Sequence, residues 1–270
     1  MKKKELAIDT LKGMFIGACM LVPGVSGGTI AIILDVYDKL ISSVSSFFKD
    51  IKGNILTLLT IGGGAVIGIV LFSRAILFIV NEYAFTSMYL FLGAVLGSIP
   101  LLLKKAKIKN FSVGLIIYPV LGAAIAFATE LIPKNVFSIT DESGIVEYLY
   151  IIIAGIILSI ALVLPGISVS YMLLILGIYE STLLAIEHMK IVFLLSLVLG
   201  IGLGIILSTK MLESAMKNHP KGTYLLIVGF VLFSLREIFP GIPTGLNIIM
   251  CLITFSLGFG AIFLLSRYSD

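Results

Sequence analysis

The sequence predicts an all-α integral membrane protein with an inverted-topology repeat, two re-entrant broken helical hairpins and about six spanning helices. Three observations carry that prediction: apolar residues in long runs, a Pro-Gly-x-Ser interruption that occurs twice, and lysines gathered on one side of the runs. Of the 270 residues, 59% are hydrophobic and 13% charged, with a mean hydropathy of +1.16. Soluble domains are roughly 45–50% apolar, so lipid is the implied solvent. Backbone groups in lipid must bond to one another, which favours helices for runs of this length.

The chain opens with Lys2, Lys3 and Lys4 before an apolar run. That pattern resembles a signal peptide, but no small-residue cleavage site follows, so these residues are read as mature protein. The first repeat covers residues 1–134. Its opening segment, 6–47, is interrupted by Leu21-Val22-Pro23-Gly24-Val25-Ser26-Gly27-Gly28. Proline lacks the backbone donor and disfavours helix in the residue before it, so the helix should stop there and restart. The arm from Ile8 to Leu21 rises about 21 Å, short of a hydrocarbon core about 30 Å thick, so the hairpin is read as re-entrant. Runs near 54–80, 84–103 and 110–131 then cross. Gly62-Gly63-Gly64 and Gly68 lie inside one crossing and lack the Lys-Ser/Thr of a phosphate loop, so they read as helix-packing residues.

The second repeat, 135–270, opens with segment 147–188, broken at Leu164-Pro165-Gly166-Ile167-Ser168-Val169-Ser170. Runs near 190–209, 222–239 and 245–266 follow. With both hairpins re-entrant, one side collects Lys2, Lys3, Lys4, Lys12, Lys39, Lys49, Lys52, Lys104, Lys105, Lys107, Lys109, Lys210, Lys217, Lys221 and Arg267. The other side holds only Lys134, Lys190 and Arg236 among many carboxylates. The positive side is cytoplasmic, so both termini are expected there. A shift of 142 residues pairs Pro23, Gly24, Ser26, Tyr37 and Asp38 with Pro165, Gly166, Ser168, Tyr179 and Glu180. A shift of 136 pairs Gly64, Gly68, Arg74 and Gly93 with Gly200, Gly204, Lys210 and Gly229. Three crossings per half is an odd number, so the second copy is inverted, the plan of many transporters.

Half-helices that start near mid-membrane aim their free N–H groups at a common region, where an anion is the natural ligand. Ser26, Gly27, Gly28, Thr29, Ser168 and Ser170 are the candidate anion-binding residues. The competing reading is that Pro-Gly tightens a turn and the serines cap the following helices. A helix terminus is worth about 0.3–2 kcal/mol, whereas a buried unpaired ion costs several kcal/mol. A cation is therefore expected as partner, and Arg74, Lys210 and Arg236 are the candidates, with snorkelling to the head groups as the alternative. Asp35, Asp38 and Glu180 stand where the hairpins emerge. They are candidate coupling carboxylates for a proton or sodium ion, or solvated ends. His188 and His219 read as solvated, and Cys19 and Cys251 as packing residues, so no metal site or cofactor is indicated. A net charge of +4 without a basic face points away from nucleic acid.

The chain resembles the bacterial DUF368 membrane proteins, the undecaprenyl phosphate translocases of the PopT type. The resemblance rests on Gly13-Met14, Gly17, Val22-Pro23-Gly24-Val25-Ser26-Gly27-Gly28-Thr29, Val36-Tyr37-Asp38, Leu164-Pro165-Gly166-Ile167-Ser168 and Gly177-Ile178-Tyr179-Glu180. Asp35 departs from it, standing where a small residue such as glycine is expected. The resemblance implies a translocase of the bacterial inner membrane that returns undecaprenyl phosphate to the inner leaflet for cell-wall and surface-polymer synthesis. Pro-Gly-x-Ser is also similar to the motif of undecaprenyl pyrophosphate phosphatases. Those enzymes have an arginine after the serine, where this chain has Gly27 and Val169, and neither break carries a glutamate to activate a nucleophile. Transport of a small anion and a structural membrane subunit are the remaining alternatives.

Overall fold

The computed structural model describes residues 3–22, 25–108, 112–134, 144–245 and 247–268. Among these the chain is helical, with no strand. The first half comprises α1 (Lys3–Cys19), α2 (Gly27–Ile33), α3 (Tyr37–Ser45), a 3-10 turn at Phe47–Lys49, α4 (Ile51–Glu82), α5 (Ala84–Lys105) and α6 (Gly114–Leu131). The second comprises α7 (Ile145–Val163), α8 (Val169–Ile175), α9 (Tyr179–Glu187), α10 (Ile191–Asn218), α11 (Pro220–Ile238) and α12 (Asn247–Tyr268). Pro23 and Gly24, the centre of the first expected break, lie outside the described residues, between the end of α1 and the start of α2. The second break is seen directly. α7 stops at Val163, Gly166 turns at φ +81°, and Ser168 opens α8.

Two features differ from expectation. Each second arm, expected as one helix, is cut again: α2 gives way to α3 at Asp35 (φ +55°) and α8 to α9 at Gly177 (φ +68°). A left-handed residue ends a helix by directing its backbone out of the helical path, and α8 and α9 stand 108° apart. The inventory of spans also shifts. Among the described residues six helices are long and apolar enough to cross, but they include α7, expected as one arm of a re-entrant hairpin, and omit α11, expected as a crossing. The 19 residues of α7 rise about 28 Å. α11 carries Lys221, Arg236 and Glu237 and buries half its length, so protein rather than lipid is its main surrounding. Its side chains enter both core clusters, Leu225, Ile227 and Val231 in one and Phe230 in the other.

Small residues set the helix pairs. A β-carbon at Gly13 or Gly17 would overlap the carbonyl of Ile61 or Ala65, and one at Gly64 or Gly68 that of Thr10 or Met14. Rising numbers in α1 meet rising numbers in α4, so the two run in the same direction and the chain turns back between them. The pair α7 and α10 repeats this, with Gly200 against Ile152 and Gly204 against Ile156. A second set joins the halves. Gly93 and Gly258 bring α5 against α12 at Phe255 and Leu90; Gly229 and Gly122 bring α11 against α6 at Pro119 and Leu226. Adding 136 converts the contacts of Gly122 and Pro119 into those of Gly258 and Phe255. Backbones this close gain van der Waals contact, the main source of helix association where no water is expelled.

Candidate functional site

The two breaks come together at one cavity. A β-carbon on Gly28 would stand 3.6 Å from the Cα of Pro165, so the first turn of α2 touches the loop before α8. Around this contact lies a cavity of about 770 Å³ bounded by α1, α3, α4, α7, α10 and α11. Ser26, Gly27 and Gly28 line it from the first break and Ser168 and Ser170 from the second, joined by Thr209, Ser234 and the Tyr37 ring. Ile16, Met20, Leu40, Ile41, Leu58 and Ile61 make most of the rest of the wall apolar. The result is a group of hydroxyls on an otherwise apolar wall, suited to a ligand with a polar head and a hydrocarbon body.

Both motif serines cap the helices they precede. The Thr29 backbone N–H donates to Ser26 Oγ at 3.2 Å, and the Tyr171 backbone N–H to Ser168 Oγ at 3.4 Å. Capping uses an oxygen lone pair and leaves the hydroxyl hydrogen to donate elsewhere. Thr29 is fully buried, with its hydroxyl 3.3 Å from that of Ser26, and does not reach the cavity. Capping and ligand contact are thus compatible at these serines rather than alternatives.

The expected cations are elsewhere. Arg74 and Lys210 are exposed, outside the buried stripes of α4 and α10, and do not line the cavity. Arg236 pairs with Glu130 at 2.8 Å, its guanidinium 5.7 Å from the centre of the Phe233 ring. Among the described residues the only charged side chain on the wall is Glu237. No lysine or arginine among the described residues lines the cavity.

The carboxylates separate by half. Lys105 Nζ lies 2.5 Å from Asp35 and 2.8 Å from Asp38, and the Tyr224 hydroxyl donates to Asp38 at 2.8 Å. Lys39 pairs with the buried Asp9 at 2.5 Å. Tyr37 donates to the Val163 carbonyl at 2.9 Å, tying α3 to the last turn of α7. Glu180, the repeat mate of Asp38, is exposed. Lys105 and Tyr224 escaped the sequence reading because one counted only toward the positive side and the other sits in an ordinary helix. Only folding brings them to residue 38, across 67 and 186 positions.

A family model described as undecaprenyl phosphate translocase-like matches residues 16–249. Among curated proteins, a polyprenyl-phosphate transporter of Staphylococcus aureus is 34% identical over 268 residues, with 93% of each chain covered. A polyprenyl-phosphate transporter of Vibrio cholerae is 28% identical over 246 residues, covering 85% of this chain and 76% of that one. No solved structure matches the chain.

Proposed function

Because this chain belongs to the undecaprenyl phosphate translocase-like family, we propose that it carries undecaprenyl phosphate across the bacterial inner membrane, from the outer to the inner leaflet. An ionised phosphate crossing lipid unaided loses its hydration at a cost of several kcal/mol. The polyprenyl tail is at home in hydrocarbon and needs no passage of its own. A carrier must therefore shelter the head while leaving the tail in an apolar setting. The cavity where the two breaks meet supports that reading best, because it sets the hydroxyls of Ser26, Ser168 and Ser170 beside a wall of aliphatic side chains.

In this proposal Ser26, Gly27, Gly28, Ser168 and Ser170 receive the phosphate, and the halves 1–134 and 135–270 are inverted copies that re-enter the membrane at their broken hairpins. The same-direction packing of α1 with α4 and of α7 with α10 supports re-entry, and the contacts repeated at a shift of 136 support the two-fold relation. Both termini face the cytoplasm. The cycle makes and breaks no covalent bond. Among the described residues Ser26 Oγ has the Thr29 hydroxyl and N–H as its hydrogen-bond partners, and neither acts as a base toward it.

The test uses purified protein in vesicles with a fluorescent polyprenyl phosphate that a membrane-impermeant reductant quenches. Wild type should expose the inner-leaflet pool. Glycine keeps most of the capping energy of serine while deleting its hydroxyl, so the Ser26→Gly, Ser168→Gly protein should stay folded and exchange lipid about ten-fold more slowly. Unchanged exchange in that variant removes the serines from the site. Phosphate release from polyprenyl pyrophosphate by the same vesicles would point to hydrolysis instead.

A further inference from the structure

The halves match in their glycine contacts but differ in how their hairpins dock. In the first half α2 packs on α5 and α3 packs on α10. The repeat-equivalent contacts, α8 on α11 and α9 on α4, are not formed to a comparable degree. Side-chain exposure follows the difference. Ile41 on α3 is 6% exposed, whereas Leu183, its mate on α9, is 51% exposed; Ile186, the mate of the half-buried Val44, is 56% exposed. The Ser45 hydroxyl donates to Glu213, locking α3 to α10. Tyr37 reaches the Val163 carbonyl, while its mate Tyr179 makes no such bond among the described residues.

Two copies of one architecture, one docked and one undocked, are what a molecule shows at one end of an exchange between equivalent states. We propose that in the opposite state hairpin α8–α9 docks along α4, pairing the carboxylate of Glu187 with the guanidinium of Arg74, while α2–α3 releases from α5 and α10. The positions follow from the repeat. Glu187 is the mate of Ser45 and Leu77 the mate of Glu213, so the contact between Ser45 and Glu213 maps onto Glu187 and Leu77. Arg74 lies one turn before Leu77 on the same helix, within reach of a carboxylate brought there. Arg74 and Glu187 are both exposed and form no ion pair with another described residue.

The exchange gives unused charges a purpose. Arg74 lies outside the cavity, and an arginine held near lipid is costly unless it snorkels or finds a partner. Each docked state then has its own clasp: Lys105 with Asp35 and Asp38 in the present one, Arg74 with Glu187 in the other. Lys105 has Gly241 as its repeat mate, so its clasp is not duplicated and the two states are held by different chemistry. This proposal concerns how the site of the carrier is exposed and does not depend on which polyprenyl phosphate fills it.

The experiment uses the full chain in membranes with Cys19 and Cys251 replaced by alanine. Oxidation should crosslink Ser45→Cys with Glu213→Cys in one protein and Glu187→Cys with Leu77→Cys in another. Each crosslink should slow lipid exchange at least about ten-fold, with recovery on reduction, because a locked carrier cannot change state. Separately, Arg74→Glu and Glu187→Arg should each slow exchange about ten-fold by setting like charges together, and the double reversal should restore it to within about two-fold. Failure of the Glu187–Leu77 pair to crosslink where Ser45–Glu213 does, or failure of the double reversal to rescue, overturns the proposal. If both pairs crosslink in a protein that moves no polyprenyl phosphate, the exchange stands and the assigned cargo falls.

Discussion

At Asp35 the backbone holds φ at +55°, the region that glycine occupies at its repeat mate Gly177. A β-carbon in that region costs about 1–2 kcal/mol, and here the carboxylate that brings the cost also grips Lys105 at 2.5 Å. The departure from glycine noted in the sequence thus exchanges backbone comfort for an ion pair. Two variants separate the terms. Asp35→Gly loses the pair and the strain together, whereas Asp35→Ala loses the pair and keeps the strain, so thermal unfolding in detergent should rank Asp35→Ala below Asp35→Gly by about 1 kcal/mol. Equal melting would show that the turn carries no strain. At the same scale, Tyr37→Phe should loosen the first hairpin and raise the labelling rate of a cysteine placed at Ile41, because the bond to the Val163 carbonyl disappears without loss of the ring.

For the helices as units, glycine position matters more than glycine content. Gly68 faces the Met14 carbonyl, and a side chain there forces α1 away from α4, whereas nothing lies within 4 Å of a β-carbon at Gly63. Gly68→Val should therefore unfold or misassemble the protein, and Gly63→Ala should be neutral or add up to about 1 kcal/mol through helix propensity. Yield of monodisperse protein after solubilisation reads both. The sequence reading of Gly62 to Gly68 as packing residues holds at Gly64 and Gly68. It does not hold at Gly62 and Gly63, where a β-carbon would meet nothing within 4 Å: Gly62 opens onto the cavity, and a helix with only one packed stripe leaves part of any glycine run without a partner.

Across the whole molecule, each half completes the other. α12 packs on α5 and α6 on α11, so neither half buries its long helices alone. Expressing residues 1–134 and 135–270 as separate chains in one cell should give a complex that co-purifies, with little of either half accumulating by itself. Independent stability of the first half would contradict the exchange of helices. The directions of the helices also place Lys49 and Lys104 at one end of the bundle and Lys134 at the other. Cysteines at the first two positions should react with an impermeant reagent from the same face, and a cysteine at 134 from the opposite face.

Much was legible in the linear chain because lipid imposes simple rules. Length and apolarity marked the helices, proline and glycine marked the breaks, and a repeated Pro-Gly-x-Ser marked the residues that line the cavity. The second cut at Asp35 and Gly177, the inward place of α11, and the partners of each charge were not legible. They depend on which helices become neighbours, and Lys105 meets Asp38, or Glu130 meets Arg236, only after segments far apart in sequence are packed side by side. Hydropathy reports whether a residue tolerates lipid; it carries no information about which backbone approaches it, and that approach sets the cavity and the residues that line it.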